Sequence, residues 1–223
     1  MGVCALSFIM SYLQGMLQDA VYLIPSILIA LSFHEWAHAF AAYKLGDPTA
    51  QANGRLTLNP FRHIDPMGLL FLLLLRFGWA KPVPINPRNF DRPRRDEIIV
   101  SLSGVTINLL LAFITMGVQL FCLFKLNIGN NILMRFLSVF YSLNLGLCIF
   151  NLIPIYPLDG FHVLECLLIR KIGPNFFMWM ERYGSFILIA LVLTRLLTGI
   201  MSFAITGVSN GILAFYSLFF RMV

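Results

Sequence analysis

The chain has 223 residues, of which 59% are hydrophobic and only 12% are charged. Soluble domains carry roughly 25% charged residues, so this composition excludes a soluble globule, a disordered chain and a disulfide scaffold. The net charge is +6, but nine of the 16 basic residues are concentrated between Lys44 and Arg95. A basic block between apolar spans is typical of a cytoplasmic loop rather than of a nucleic-acid-binding face. We therefore predict a multi-pass protein of the cell membrane, in contact with the lipid bilayer and without a nucleic-acid partner.

The first predicted element is an apolar span from Ala20 to about Ala42. Residues 1–19 are mixed in character and are expected at the membrane interface, without a removable signal peptide. Gly46-Asp47-Pro48 ends the helix. The next segment, residues 49–65, contains Asn53-Gly54 and favours a short β-hairpin.

Three ionisable side chains near the end of this span form the motif His34-Glu35-Trp36-Ala37-His38. On a helix, the two histidines lie one turn apart on one face and can bind the same metal ion. Glu35 is placed to take a proton from the attacking water. Two histidines and one carboxylate suit zinc. Because ionisable groups inside a membrane mark functional sites, we predict one zinc ion per chain.

The remaining apolar segments vary in length. Met67–Ala80 is short for a span and is predicted to be re-entrant, and the three prolines of Lys81–Pro87 exclude a regular helix. Two clear spans follow, at about 97–124 and 132–153, and two softly divided apolar segments lie at 184–203 and 204–220. The prediction is an all-α polytopic membrane protein with five to six hydrophobic segments.

A third metal ligand is required, and Asp159 is the best candidate. It follows a long span, stands in a proline-flanked break and precedes Gly160. A carboxylate at membrane depth is tolerated where it lines a buried or wet cavity. Glu165 and His162 are the alternatives.

Together with NLIPIYPLDG at Asn151–Gly160, the His34–His38 motif resembles the site-2 protease family of zinc intramembrane proteases. The likeness covers most of residues 30–160, and it includes GRLTLNPFRHIDPMG, GWAKPVPINPRNF and the segment Ser103–Asn108. It implies that zinc is held by His34, His38 and Asp159, that Glu35 is the general base, and that Asn108 and Asn151 are polar groups near the active site. It also implies a three-helix catalytic core with the metal near the cytosolic side.

Two positions depart from the family pattern. Val105 replaces the proline of the Gly-Pro signature, and Phe161-His162 stands where Gly-Arg is usual. We expect a single membrane-embedded protease domain over 1–223, with a catalytic core at about 20–160 and C-terminal helices at 161–223. No PDZ or CBS domain is expected, as in the compact prokaryotic members.

The expected function is hydrolysis of peptide bonds within or near the transmembrane helices of membrane-protein substrates. A zinc transporter is a second hypothesis, although Ala39 follows His38 where some transporter helices carry a second glutamate. A catalytically inactive relative that binds membrane helices is a third, and it is disfavoured because the whole ligand and base set is present. Homo-oligomers are left open.

Overall fold

The computed structural model describes residues 2–68, 71, 80–129 and 132–220, with side chains described from Asp19 onward. The elements in this part of the chain are helices and short turns. The helices are α1 (Gly2–Lys44), α2 (Thr49–Ala52), α3 (Pro93–Phe124), α4 (Ile132–Asn151), α5 (Asp159–Ile172), α6 (Pro174–Leu193) and α7 (Leu196–Phe220). Single 3-10 turns lie at Pro60–Arg62 and Pro87–Asn89, and one isolated antiparallel bridge joins Ile64 to Ala80.

Five of the described helices are long and apolar enough to cross a membrane. They are the Asp19–Lys44 part of α1, then α3, α4, α6 and α7. The prediction of an all-α polytopic membrane protein is confirmed. Helix α5 is short and carries charged residues, and it packs against α3.

Helix α3 lies at the centre of the bundle and contacts α1, α4 and α5 most extensively. Helix α7 joins this group through an apolar cluster that includes Met116, Leu120 and Ile212. A hydrogen bond from the Tyr216 hydroxyl to the Phe113 carbonyl, 3.1 Å long, ties α7 to α3. The α1–α3–α4 group positions the residues of the candidate site.

The predicted β-hairpin at residues 49–65 is wrong. Asp47 accepts a hydrogen bond from the Thr49 N–H at 3.1 Å, and this starts one helical turn instead of a strand. Gly54 then adopts a φ of +63° directly after the turn. A left-handed glycine ends a helix as readily as it makes a hairpin turn, so Asn53-Gly54 ends α2.

The remaining segment predictions concern the last two apolar segments, the N-terminal residues and Met67–Ala80. The division between the last two apolar segments falls at Thr194 and Arg195, not at residues 203 and 204, and Arg195 has a φ of +59°. Residues 2–18 are helical and continuous with the rest of α1, and their place at the membrane interface stays a prediction. Most of Met67–Ala80, the predicted re-entrant segment, lies outside the described residues.

Candidate metal centre

The structure brings His34 and His38 of α1 together with Asp159 at the start of α5. The Nε2 atoms of the two imidazoles are 3.0 Å apart. Each also lies 3.4 Å from a carboxylate oxygen of Asp159. Both histidines are buried, and Asp159 is half-buried. Within the described ranges, these three residues form the one group of His, Cys, Asp and Glu side chains close enough to share a metal ion.

These distances fit zinc. Ligand atoms about 2.0–2.1 Å from a zinc ion at tetrahedral angles lie about 3.3 Å from one another. The two Nε2 atoms are 3.0 Å apart, Nε2 of His34 lies 3.4 Å from Oδ2 of Asp159, and Nε2 of His38 lies 3.4 Å from Oδ1. Two buried atoms in this group, Nδ1 of His34 and Oδ2 of Asp159, have no hydrogen-bond partner among the described residues. Buried polar atoms without a partner are rare, and a metal ion would provide the partner that the carboxylate oxygen needs.

Helix α3 fixes the tautomer of His38. Nδ1 of His38 donates to the Val100 carbonyl at 2.8 Å, so its Nε2 carries a lone pair that faces Asp159 and His34. Ser103 donates its hydroxyl to the same carbonyl at 2.6 Å. An imidazole held by its second nitrogen is the usual arrangement for a metal ligand.

Gly104 lets α3 approach the histidines. A Cβ at this position would lie 2.4 Å from His38 Nε2 and 2.6 Å from His34 Cε1. Neither contact is sterically allowed, so any side chain at residue 104 would displace an imidazole. Gly104 belongs to the Ser103–Asn108 segment of the sequence resemblance, but its role as a spacer for the histidines was missed. The sequence signal for this role was a glycine in a helix that is otherwise rich in large apolar side chains, because such a position allows another element to approach closely.

Asp159 is placed by the tight chain reversal between α4 and α5. A Cβ on Gly160 would lie 2.3 Å from the Leu152 carbonyl oxygen, so only glycine allows the two helix ends to approach this closely. Phe161, one of the departures from the family pattern, is fully buried and has ring contacts with Tyr156 and Phe177. Phe161 therefore packs the start of α5 against the preceding turn and α6.

The two alternative ligands lie outside this group. The ring of His162 contacts Tyr156 and Phe161, and Glu165 is half-buried. Asn108 is fully buried on α3, and neither atom of its amide has a partner among the described residues. Asn151 donates to the Leu147 carbonyl of its own helix at 3.1 Å. In the part of the chain that the structure describes, no hydrogen bond joins either asparagine to the metal group.

Glu35 points to the segment Lys81–Pro87, here called the proline strap. Its Oε2 accepts a hydrogen bond from the Val83 N–H at 3.1 Å, and its side chain is buried. Sequence reasoning missed this contact because a main-chain donor has no residue-type signature.

A bundle of apolar helices that brings the two histidines of an HExxH motif together with a carboxylate as third ligand is typical of a membrane metalloprotease. The sequence profile described as Peptidase family M50 matches residues 124–193. The "Putative zinc metalloprotease YwhC" of Bacillus subtilis is 35% identical over 209 residues, which are 90% of this chain and 93% of that protein. The "Putative zinc metalloprotease Rip2" of Mycobacterium tuberculosis is 31% identical over 149 residues, which are 65% of this chain and 56% of the length of that protein.

The "Zinc metalloprotease MJ0392" of Methanocaldococcus jannaschii is 32% identical over 57% of this chain and 33% of its own length. No solved structure matches the chain. The chain belongs to peptidase family M50, the site-2 protease family, and is a multi-pass membrane zinc metalloprotease.

Proposed function

We propose that the protein is an intramembrane endopeptidase that cleaves peptide bonds within or near the transmembrane helices of membrane-protein substrates. One zinc ion per chain is held by His34, His38 and Asp159, and Glu35 is the general base. The observation that carries the proposal is the convergence of the two buried imidazoles and the Asp159 carboxylate, with each Nε2 3.4 Å from one carboxylate oxygen and ligand atoms close enough to share one zinc ion.

The chemistry follows from the residues around the site. When bound, zinc supplies Lewis acidity that polarises a substrate carbonyl and acidifies water. Glu35 accepts the proton of the attacking water and delivers it to the leaving nitrogen. Its carboxylate has one oxygen engaged by Val83, which leaves Oε1 for the water. A substrate helix must unwind locally before this reaction, because its own hydrogen bonds shield its peptide bonds.

The proposed site lies near the cytoplasmic end of α1. His38 precedes the end of α1 at Lys44 by six residues, about 9 Å along a helix. The basic block follows directly, which favours the cytoplasmic side. The Arg135 guanidinium lies 5.4 Å from the centre of the Tyr22 ring, so the start of α4 lies beside the start of the Asp19–Lys44 span, away from the proposed site.

The test compares the wild type with Glu35→Gln in detergent. The variant keeps the size of the side chain and the three ligands, but removes the base. We expect cleavage of a fluorescent single-span membrane peptide to fall by at least about 10²–10⁴-fold, with zinc content unchanged. Glu165→Gln is the matched control and should keep full activity. Undiminished cleavage by Glu35→Gln contradicts the mechanism, and zinc flux into proteoliposomes without proteolysis by the wild type would indicate a transporter instead.

The ligand set is tested on the same preparations. Asp159→Ala should lose zinc, while Glu165→Ala and His162→Ala should retain it. Full zinc in Asp159→Ala, with loss in either of the other two variants, would assign the third ligand to that residue.

A further inference from the structure

The proline strap crosses the helix that carries Glu35, and it has few hydrogen-bond donors. Three of its seven residues are prolines, so its N–H groups belong to Lys81, Val83, Ile85 and Asn86. Lys81 donates to the His63 carbonyl at 2.8 Å, and Asn86 donates to Oδ2 of Asp47 at 2.8 Å. Val83 lies between these two anchors and donates to Glu35. The strap is thus fixed on both sides of the donor that contacts the carboxylate.

Arg55 anchors the strap through the carbonyls of its first two residues. Its guanidinium donates to the carbonyls of Arg62, Lys81 and Pro82, the last at 3.0 Å. The Arg55 side chain is buried, with 7% of the residue exposed. All three acceptors are main-chain carbonyls, so the guanidinium holds together two separate stretches of chain. A buried charge is costly to leave unpaired, which makes this anchor rigid.

We propose that the Val83 N–H, fixed by Arg55, is a positioning donor for Glu35. It holds one oxygen of the carboxylate, sets the rotation of the group, and directs the other oxygen toward the attacking water. The inference rests on the proposed function, because it assumes that Glu35 is the general base. Loss of a group that orients a functional side chain in this way typically costs about 10–100-fold.

Val83→Pro removes this donor with little other change. Val83 precedes Pro84 and is therefore already restricted to extended backbone, which proline also adopts. The Val83 side chain packs with Ala39 and Ala50, so some packing is lost as well. Val83→Ala is the matched control, because it loses packing but keeps the N–H.

The contact itself is tested without any activity measurement. Hydrogen exchange of the peptide Lys81–Pro87 reports on only three main-chain amides, those of Val83, Ile85 and Asn86. We expect Glu35→Ala to make one slowly exchanging amide at least tenfold faster, while Glu35→Gln, whose amide oxygen can still accept, leaves it slow. Unchanged exchange in Glu35→Ala would overturn the inference.

The consequence for catalysis is tested with the fluorescent single-span peptide. We expect Val83→Pro to reduce kcat about 10–100-fold relative to Val83→Ala, with KM, zinc content and Tm matching that control. Arg55→Gln should reduce kcat in the same way, and Arg55→Lys should recover part of the loss. If Val83→Pro does not fold, the two Arg55 variants and the exchange measurement test the positioning role of the Val83 N–H.

Equal kcat in Val83→Pro and Val83→Ala, or an effect on KM alone, would overturn the positioning role. If Glu35→Gln is inactive in that case, the proposed function stands and only this inference fails. If Glu35→Gln cleaves normally, the general-base role of Glu35 fails, and the proposed function fails with it.

Discussion

Gly104 determines how closely α3 packs against the two histidines. The methyl group of Gly104→Ala would overlap His38 Nε2 and His34 Cε1, so at least one imidazole must move. We expect this variant to lose zinc and most of its activity, although alanine is the better helix former by about 1 kcal/mol. Zinc per chain and cleavage rate are the measurements.

Gly146→Ala provides the control for this substitution. Gly146 also lies inside a membrane-spanning helix, but a Cβ there meets nothing within 4 Å. Its alanine variant should keep zinc and activity. If Gly104→Ala retained both as well, the close approach of α3 would not be a requirement of the site.

For individual residues, the sequence predicts the site members that act through their side chains. The spacing of His34 and His38 on a helix is sufficient to place both on one face, and the proline-flanked setting of Asp159 marks it as unusual. The contributions of the Val83 N–H and the Val100 carbonyl could not be predicted, because every residue except proline carries the same main-chain groups. Their roles depend on three-dimensional proximity alone.

Among the elements, the proline strap is anchored by a buried carboxylate, Asp47. Burial raises the pKa of Asp47, but hydrogen bonds from the Asn86 N–H, Thr49 and Asn89 outweigh it, and the pKa is lowered. A group with a lowered folded-state pKa stabilises the fold above its ordinary pKa. That stabilisation is lost as the pH falls through the lowered value.

We therefore expect Asp47→Asn to be less stable than the wild type at pH 7, by about 1–3 kcal/mol. The difference should shrink as the pH falls below the ordinary carboxyl range. Thermal unfolding in detergent at neutral and acidic pH measures it. Asp91→Asn, a change at an exposed carboxylate, should show no such difference. A difference for Asp47→Asn that does not depend on pH would contradict the explanation.

Element boundaries were predictable where composition changes and not where it stays constant. The polar turn after Phe124 was located from sequence, because charge and asparagines interrupt the apolar pattern. The break at Thr194 and Arg195 was misplaced, because apolar residues continue on both sides of it. Asn53-Gly54 was misread because the same left-handed conformation serves hairpin turns and helix ends. The main-chain hydrogen bonds from Ala52 to Pro48 and from Asn53 to Thr49 are those of a helical turn and distinguish the two.

For the whole molecule, the order of spans predicts which loops share a side of the membrane. Helix α3 is long and apolar enough to cross a membrane, so we expect the residues before it and the turn after it on opposite sides. We expect cysteines introduced at Arg94 and at Lys125, in a background free of native cysteines, to react with a membrane-impermeant reagent from opposite sides. Arg94 should be cytoplasmic.

Labelling of intact cells and of inverted vesicles distinguishes the two sides of the membrane. Arg92→Cys is a second position that we expect to be labelled from the cytoplasm. Labelling of Arg94→Cys and Lys125→Cys from the same side would contradict this topology. Labelling of Arg94→Cys from outside and of Lys125→Cys from the cytoplasm would instead indicate that Met67–Ala80 crosses the membrane.

The separation of the proposed ligands along the chain has a consequence for biosynthesis. Two of them belong to the first helix, and the third belongs to the fifth, which follows two further spans. A nascent chain on the ribosome therefore holds the histidines and the base long before it holds Asp159. The complete ligand set forms only after α3 and α4 have inserted. Until then, the newly made membrane helices of the protein itself are not exposed to a competent protease.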